Sequence, residues 1–94
     1  PTEFALLQNY PNPFNPETTI KYNIAEGGNV SLRIYNVVGQ VVSTLVAEQQ
    51  SAGRYTVRWN GTDDRGVSVS SGIYFYQITA GGDFGDVKKL MLLK

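Results

Sequence analysis

Cysteine and histidine are both absent from the 94 residues. Without cysteine there is neither a disulfide framework nor a thiolate zinc site. Without histidine the chain lacks the commonest metal ligand and the usual general base near neutral pH. Basic and acidic residues number 8 each, so the formal net charge is zero. That balance gives no electrostatic footprint for nucleic acid or an anionic lipid surface. No apolar run approaches the length of a membrane span, and no signal peptide opens the chain. The first residue is Pro1 rather than Met, so the chain is expected to be part of a longer polypeptide. The serines and threonines have no imidazole beside them and no nucleophile-elbow motif. Lys21, Lys88, Lys89 and Lys94 fall at solvent-facing or terminal strand positions. Neither an enzyme nor a cofactor is expected, and no residue stands out as catalytic.

What is present favours strands. Ten glycines, six tyrosines and many β-branched residues suit an all-β chain. Thr18–Ile24 alternates with period two, placing Ile20, Tyr22 and Ile24 on one face. Val30–Tyr35 repeats the pattern with Val30, Leu32 and Ile34 inward, and Asn36-Val37-Val38-Gly39 closes a hairpin onto a strand from Gln40 to Val46. Ala47–Ala52 reads as a loop, with at most one helical turn. Gly53–Trp59 is the cleanest alternation, with Tyr55, Val57 and Trp59 inward. Ile73–Ile78 is apolar or aromatic on both faces, as a central strand should be, and Asp86–Leu93 forms the last strand. Counting Phe4–Leu7 as a short edge strand, this predicts an immunoglobulin-like antiparallel β-sandwich of about seven strands.

One stretch breaks the strand pattern. Asn9-Tyr10-Pro11-Asn12-Pro13-Phe14-Asn15-Pro16 holds three of the four prolines. Each proline fixes its φ, removes an N–H donor and restrains the residue before it. The stretch can be neither a helix nor a central strand. Its aromatics argue against a free linker. The reading is a docked, extended N-terminal segment over residues 1–17, with Tyr10 and Phe14 as plugs and the asparagines bonding locally. Residues 18–94 then form the sandwich.

Two other constellations compete for a function. Asp63 and Asp64, with Asn60 nearby, offer oxygen ligands for calcium. They lack the spaced ligands of an EF-hand, and turn chemistry alone explains them. Asn60-Gly61-Thr62 and Asn29-Val30-Ser31 match the glycosylation pattern and also suit turns. Tyr35, Trp59, Tyr74 and Tyr76 could form a stacking platform for sugar rings, with Tyr35 and one of Tyr74 or Tyr76 the most exposed. The alternation that carries Trp59 favours the core instead. A carbohydrate-binding or structural accessory module of a secreted glycoside hydrolase is the alternative function.

The opening Phe4–Ile20, with its Asn9-Tyr10-Pro11-Asn12-Pro13-Phe14-Asn15-Pro16 motif, resembles the start of type A C-terminal sorting domains of the type IX secretion system. So do Val30–Val42, Gly53–Gly61 and Ser71–Tyr76, and the terminus Lys88-Lys89-Leu90-Met91-Leu92-Leu93-Lys94 is similar to that family's basic-then-apolar ending. Trp59–Tyr76 also resembles the immunoglobulin-like domain of flagellar hook-capping proteins. The resemblance implies a non-catalytic domain at the C-terminus of a larger cargo. Its partners would be an upstream cargo domain in the same chain and the outer-membrane secretion machinery. Its destination would be the surface of a gram-negative bacterium or the medium, after transit through the periplasm. No nucleic acid and no transmembrane segment are implied. Lys88 to Lys94 would be the residues recognised by the translocon. They combine charge with a β-prone run, and a terminal strand tends to lie at a sheet edge, open to another protein's strand. The proline-bearing segment suits capping the fold better than pairing with that edge. The competing reading has Leu90 and Leu92 simply filling the core.

Overall fold

A computed structural model describes residues 1–94. Its elements are β1 (Ala5–Leu6), β2 (Thr18–Ile24), β3 (Gly28–Tyr35), β4 (Val41–Gln50), β5 (Gly53–Trp59), β6 (Gly72–Ala80) and β7 (Phe84–Leu92). They form two antiparallel sheets, β1-β2-β5 and β4-β3-β6-β7. The all-β immunoglobulin-like sandwich expected from the sequence is the observed fold.

Period-two alternation decides what lies between the sheets. Ile20, Tyr22 and Ile24 from β2 face Val30, Leu32 and Ile34 from β3, and all six are buried. β6 adds Tyr74, Tyr76 and Ile78, and β7 adds Leu90 and Leu92. Each fully buried side chain of this size stabilises by roughly 1.5–3 kcal/mol. Trp59 closes one end, tilted against Phe14 at 5.6 Å and edge-on to Tyr74 at 5.3 Å. Its indole N–H donates to the Thr62 carbonyl at 2.8 Å. A buried Trp needs such a partner.

Turns fall where glycine permits them. Gly39 adopts φ 85° in the β3–β4 hairpin, and its N–H donates to the Asn36 carbonyl at 3.0 Å. Gly61 has φ 75° and lies against Leu92, whose Cδ2 would sit 3.3 Å from an added Cβ. Both the positive φ and the close approach favour glycine there.

Several strand limits differ from the expectation, with β3 starting at Gly28 and β6 running on to Ala80. Ala47–Gln50 is not a loop. It continues β4, because the ladder with β3 runs on to Gly28↔Gln50. The polar run Glu48-Gln49-Gln50 has weak strand propensity, but pairing on an edge strand outweighs it. β7 begins at Phe84 rather than Asp86, since the ladder with β6 reaches Ala80↔Phe84.

Candidate functional site at the junction of the chain ends

The two stretches singled out in the sequence meet in space. β7 pairs with β6 on one side only, so its other edge would be open. The proline-bearing segment lies along that edge. The Phe14 N–H donates to the Met91 carbonyl at 3.0 Å, and the Leu93 N–H donates to the Phe14 carbonyl at 3.0 Å. These bonds make a parallel bridge between Phe14 and Leu92. The Met91 N–H donates to Asn12 Oδ1 at 2.9 Å, and Gln8 Nε2 donates to the Lys89 carbonyl at 2.9 Å. The segment does pair with the terminal strand, contrary to the expectation that it would only cap the fold. Prolines alternate with residues that keep an N–H, so Phe14 can complete a bridge that its proline neighbours could not.

A polar lock holds the segment in place. The Asn9 N–H donates to Tyr76 Oη at 2.8 Å, and the Tyr76 hydroxyl donates to the Leu7 carbonyl at 2.7 Å. Asn9 Nδ2 donates to Thr18 Oγ1 at 2.9 Å and to the Pro11 carbonyl at 3.2 Å. The Thr18 hydroxyl donates to the same carbonyl at 2.8 Å. Asn9, Thr18 and Tyr76 are all buried, and buried polar groups require such partners. Burial pushes the Tyr76 phenol up to about 12, with the Asn9 N–H pulling the other way and Asp86 adding to the rise. The sequence did not mark Tyr76 as inward, because Ile73–Ile78 is apolar or aromatic on both faces; once buried, its hydroxyl needs a polar group across the gap. Nothing local in the sequence identified Asn9 as that group.

The plugs divide. Phe14 is buried, but Tyr10 is 79% exposed. Tyr10 gives its backbone to a bridge with Thr19, which turns the ring to the outer surface. The segment is bent rather than extended, and its Tyr10-Pro11, Asn12-Pro13 and Asn15-Pro16 bonds are cis. Asn12 reaches across to β7 and does not bond locally.

The terminal run is divided by face. Leu90 and Leu92 are buried and fill the core, as the competing reading had it. Lys88 lies on the same side of the strand and is half-buried. Lys89 is exposed on the outer side, Met91 is half-buried there, and Leu93 and Lys94 are exposed. The Lys94 N–H donates to Ser71 Oγ at 3.0 Å, and its ammonium donates to Ser68 Oγ.

The other constellations are absorbed by the fold. Asp63 Oδ1 accepts the N–H groups of Arg65 and Val67 at 2.9 and 3.0 Å. The Val67 amide and the Arg65 guanidinium hold its carboxyl below the usual range. Asp64 Oδ1 accepts the Thr44 N–H at 2.8 Å and so covers part of the β4 edge. The aromatic platform does not form, because Trp59, Tyr74 and Tyr76 are buried and only Tyr35 is partly accessible. The expectation that Tyr74 or Tyr76 would be exposed fails because their hydroxyls find carbonyl partners inside, at Ser70 and Leu7.

Comparison with known proteins agrees with this architecture. The family model described as FlgD Ig-like domain matches residues 15–83. Dimeric latent PorU from Porphyromonas gingivalis superposes with a TM-score of 0.76 at 20% identity, over 97% of this chain and 9% of that one. PorZ from the same organism, an essential bacterial surface component of the type-IX secretion system, superposes with a TM-score of 0.62 at 19% identity, over 97% of this chain and 11% of that one. At identities this low the superpositions show a shared fold alone. No curated protein matches the chain in sequence.

Proposed function

This chain belongs to the FlgD Ig-like domain family, and we propose that it serves there as a non-catalytic sorting domain. It would direct an upstream cargo domain through the type IX secretion machinery, by way of the periplasm, to the cell surface or the medium of a gram-negative bacterium. The carrying observation is the junction of the two ends. The opening motif and the terminal strand resemble sorting domains most, and Gln8, Asn12 and Phe14 bond directly to Lys89, Met91 and Leu93. The likeness in fold to PorZ supports the same reading.

The test fuses the 94 residues to the C-terminus of a periplasm-targeted reporter, in a host that has the type IX system. The fusion should reach the surface or the medium in that host. It should stay in the periplasm when the system is inactivated. Export that persists without the system would refute the sorting role. Truncating Lys88 to Lys94 is an insufficient test by itself, because Leu90 and Leu92 are core residues and the truncated chain would not fold.

A further inference from the structure

If the terminal strand is read by a partner, only one of its surfaces is available. Its inner side is spent on the core through Leu90 and Leu92. Its edge from Lys89 to Leu93 is bonded to Gln8, Asn12 and Phe14. We infer that the strand is recognised through the outer face of the four-stranded sheet, by a protein surface that offers apolar side chains and carboxylates. This rests on the sorting role proposed above and names the surface that role would use.

The register puts Val41, Tyr35, Phe75 and Lys89 in one row across all four strands. Ile73 and Met91 pair in the next row toward the β3–β4 hairpin. At the hairpin tip Val37 and Val38 are 69% and 74% exposed, and Val41 is 49% exposed. None of these valines contributes to the core cluster. Exposed apolar side chains grouped on one face suit an interaction site, and aromatic residues, Met and Arg are enriched in interface cores. The charged side chains on this face are Arg33 and Lys89, both basic. Glu48 and Asp86 lie opposite Val30 and Ile78, which are buried, and so fall on the inner side. Charge complementarity therefore selects an acidic partner. The opposite sheet is more polar: its strands carry Lys21, Thr56 and Arg58 outward, and its exposed apolar side chains, Leu7 and Tyr10, lie at its β1 edge.

The experiment uses the reporter fusion with single substitutions at exposed positions. Lys89→Glu and Val41→Asp should each lower the exported fraction about tenfold, the effect of one unfavourable contact at an interface. Lys89→Arg should retain export. Lys21→Glu, on the other sheet, should also retain it. Equal melting temperatures for the purified domains separate lost recognition from lost folding. Unchanged export of Lys89→Glu and Val41→Asp overturns the face inference and leaves the sorting role standing. An equal loss in Lys21→Glu also overturns it, because the effect would then not be confined to one face. If the unsubstituted fusion stays in the periplasm, the sorting role fails and this inference falls with it.

Discussion

Phe14 and Tyr10 stand four positions apart in the same segment, yet the fold treats them differently. Phe14 is 2% exposed and packs on Trp59, whereas Tyr10 has its ring in solvent. Phe14→Ala should therefore cost about 3–5 kcal/mol, the range for emptying a buried aromatic site. Tyr10→Ala should change stability by less than about 0.5 kcal/mol. Urea denaturation of the two variants measures both, and equal costs would show that the ring positions are wrong. Tyr76 allows a second test. Folded, its phenol keeps its proton up to about 12, while in the unfolded chain it ionises near the ordinary 10.0. Between those values the native state binds more protons than the unfolded state. Its contribution is thus fully present below pH 10 and is lost as pH rises toward 12. Burial raises Tyr22 as well, so some alkaline slope persists without Tyr76. Tyr76→Phe should flatten the fall in melting temperature above pH 10. At neutral pH it should cost about 1–3 kcal/mol, because the Asn9 N–H and the Leu7 carbonyl lose their buried partner.

At the scale of elements, Thr18–Ile24, Val30–Tyr35 and Gly53–Trp59 were legible because each turns one face inward and alternates accordingly. Ile73–Ile78 was legible for another reason, being apolar or aromatic on both faces of a strand with neighbours on each side. The reach of the edge strand β4 was less legible. Glu48-Gln49-Gln50 reads as loop because an edge strand can hold polar residues on both sides, and only the ladder to Gly28 shows that it is paired. The candidate site was half legible. Both of its stretches are visible in the sequence, through their prolines and their basic-apolar ending. Their contact is not visible, since it joins residues as far apart as Gln8 and Lys89 through single hydrogen bonds with no periodic signature. That contact carries a prediction of its own. Removing residues 1–16 would take Leu6 and Phe14 from the core and uncover the backbone groups of β2 that pair with β1 and of β7 from Lys89 to Leu93. Uncovered strand edges pair with other chains. The truncated domain should therefore associate with rising concentration in sedimentation velocity runs, while the intact chain stays at one sedimentation coefficient. A truncated domain that remains folded and monomeric would show that the segment is dispensable as an edge cover.

The whole molecule is a sandwich of 37 × 22 × 20 Å; Phe4 stacks on Phe84 at one end of it, while Asn12 and Phe14 meet the last residues of β7 at the other. Trp59, Phe14, Tyr74 and Leu92 gather there, and Gly61 approaches Leu92 closely enough that a side chain in its place would have to displace it. Sequence that is distant along the chain is thus pooled in a single structural region. On the outside, the fold leaves exposed apolar side chains, among them Val37, Val38, Val41 and Val87, on the four-stranded sheet and its hairpin.

The parallel bridge between Phe14 and Leu92 also determines how the domain bears a pull. A pull applied at Pro1 and at Lys94 would draw the two strands of the bridge in opposite directions along their length. In a parallel pair the hydrogen bonds lie across that line of force. The Phe14–Met91 and Leu93–Phe14 bonds are then sheared together, with Asn12 and Gln8 sharing the load, and are not peeled one after another. A strand pair gripped in shear resists far more force than one that unzips. The junction of the chain ends is therefore also a mechanical clamp, set on the path that tension would take through the protein.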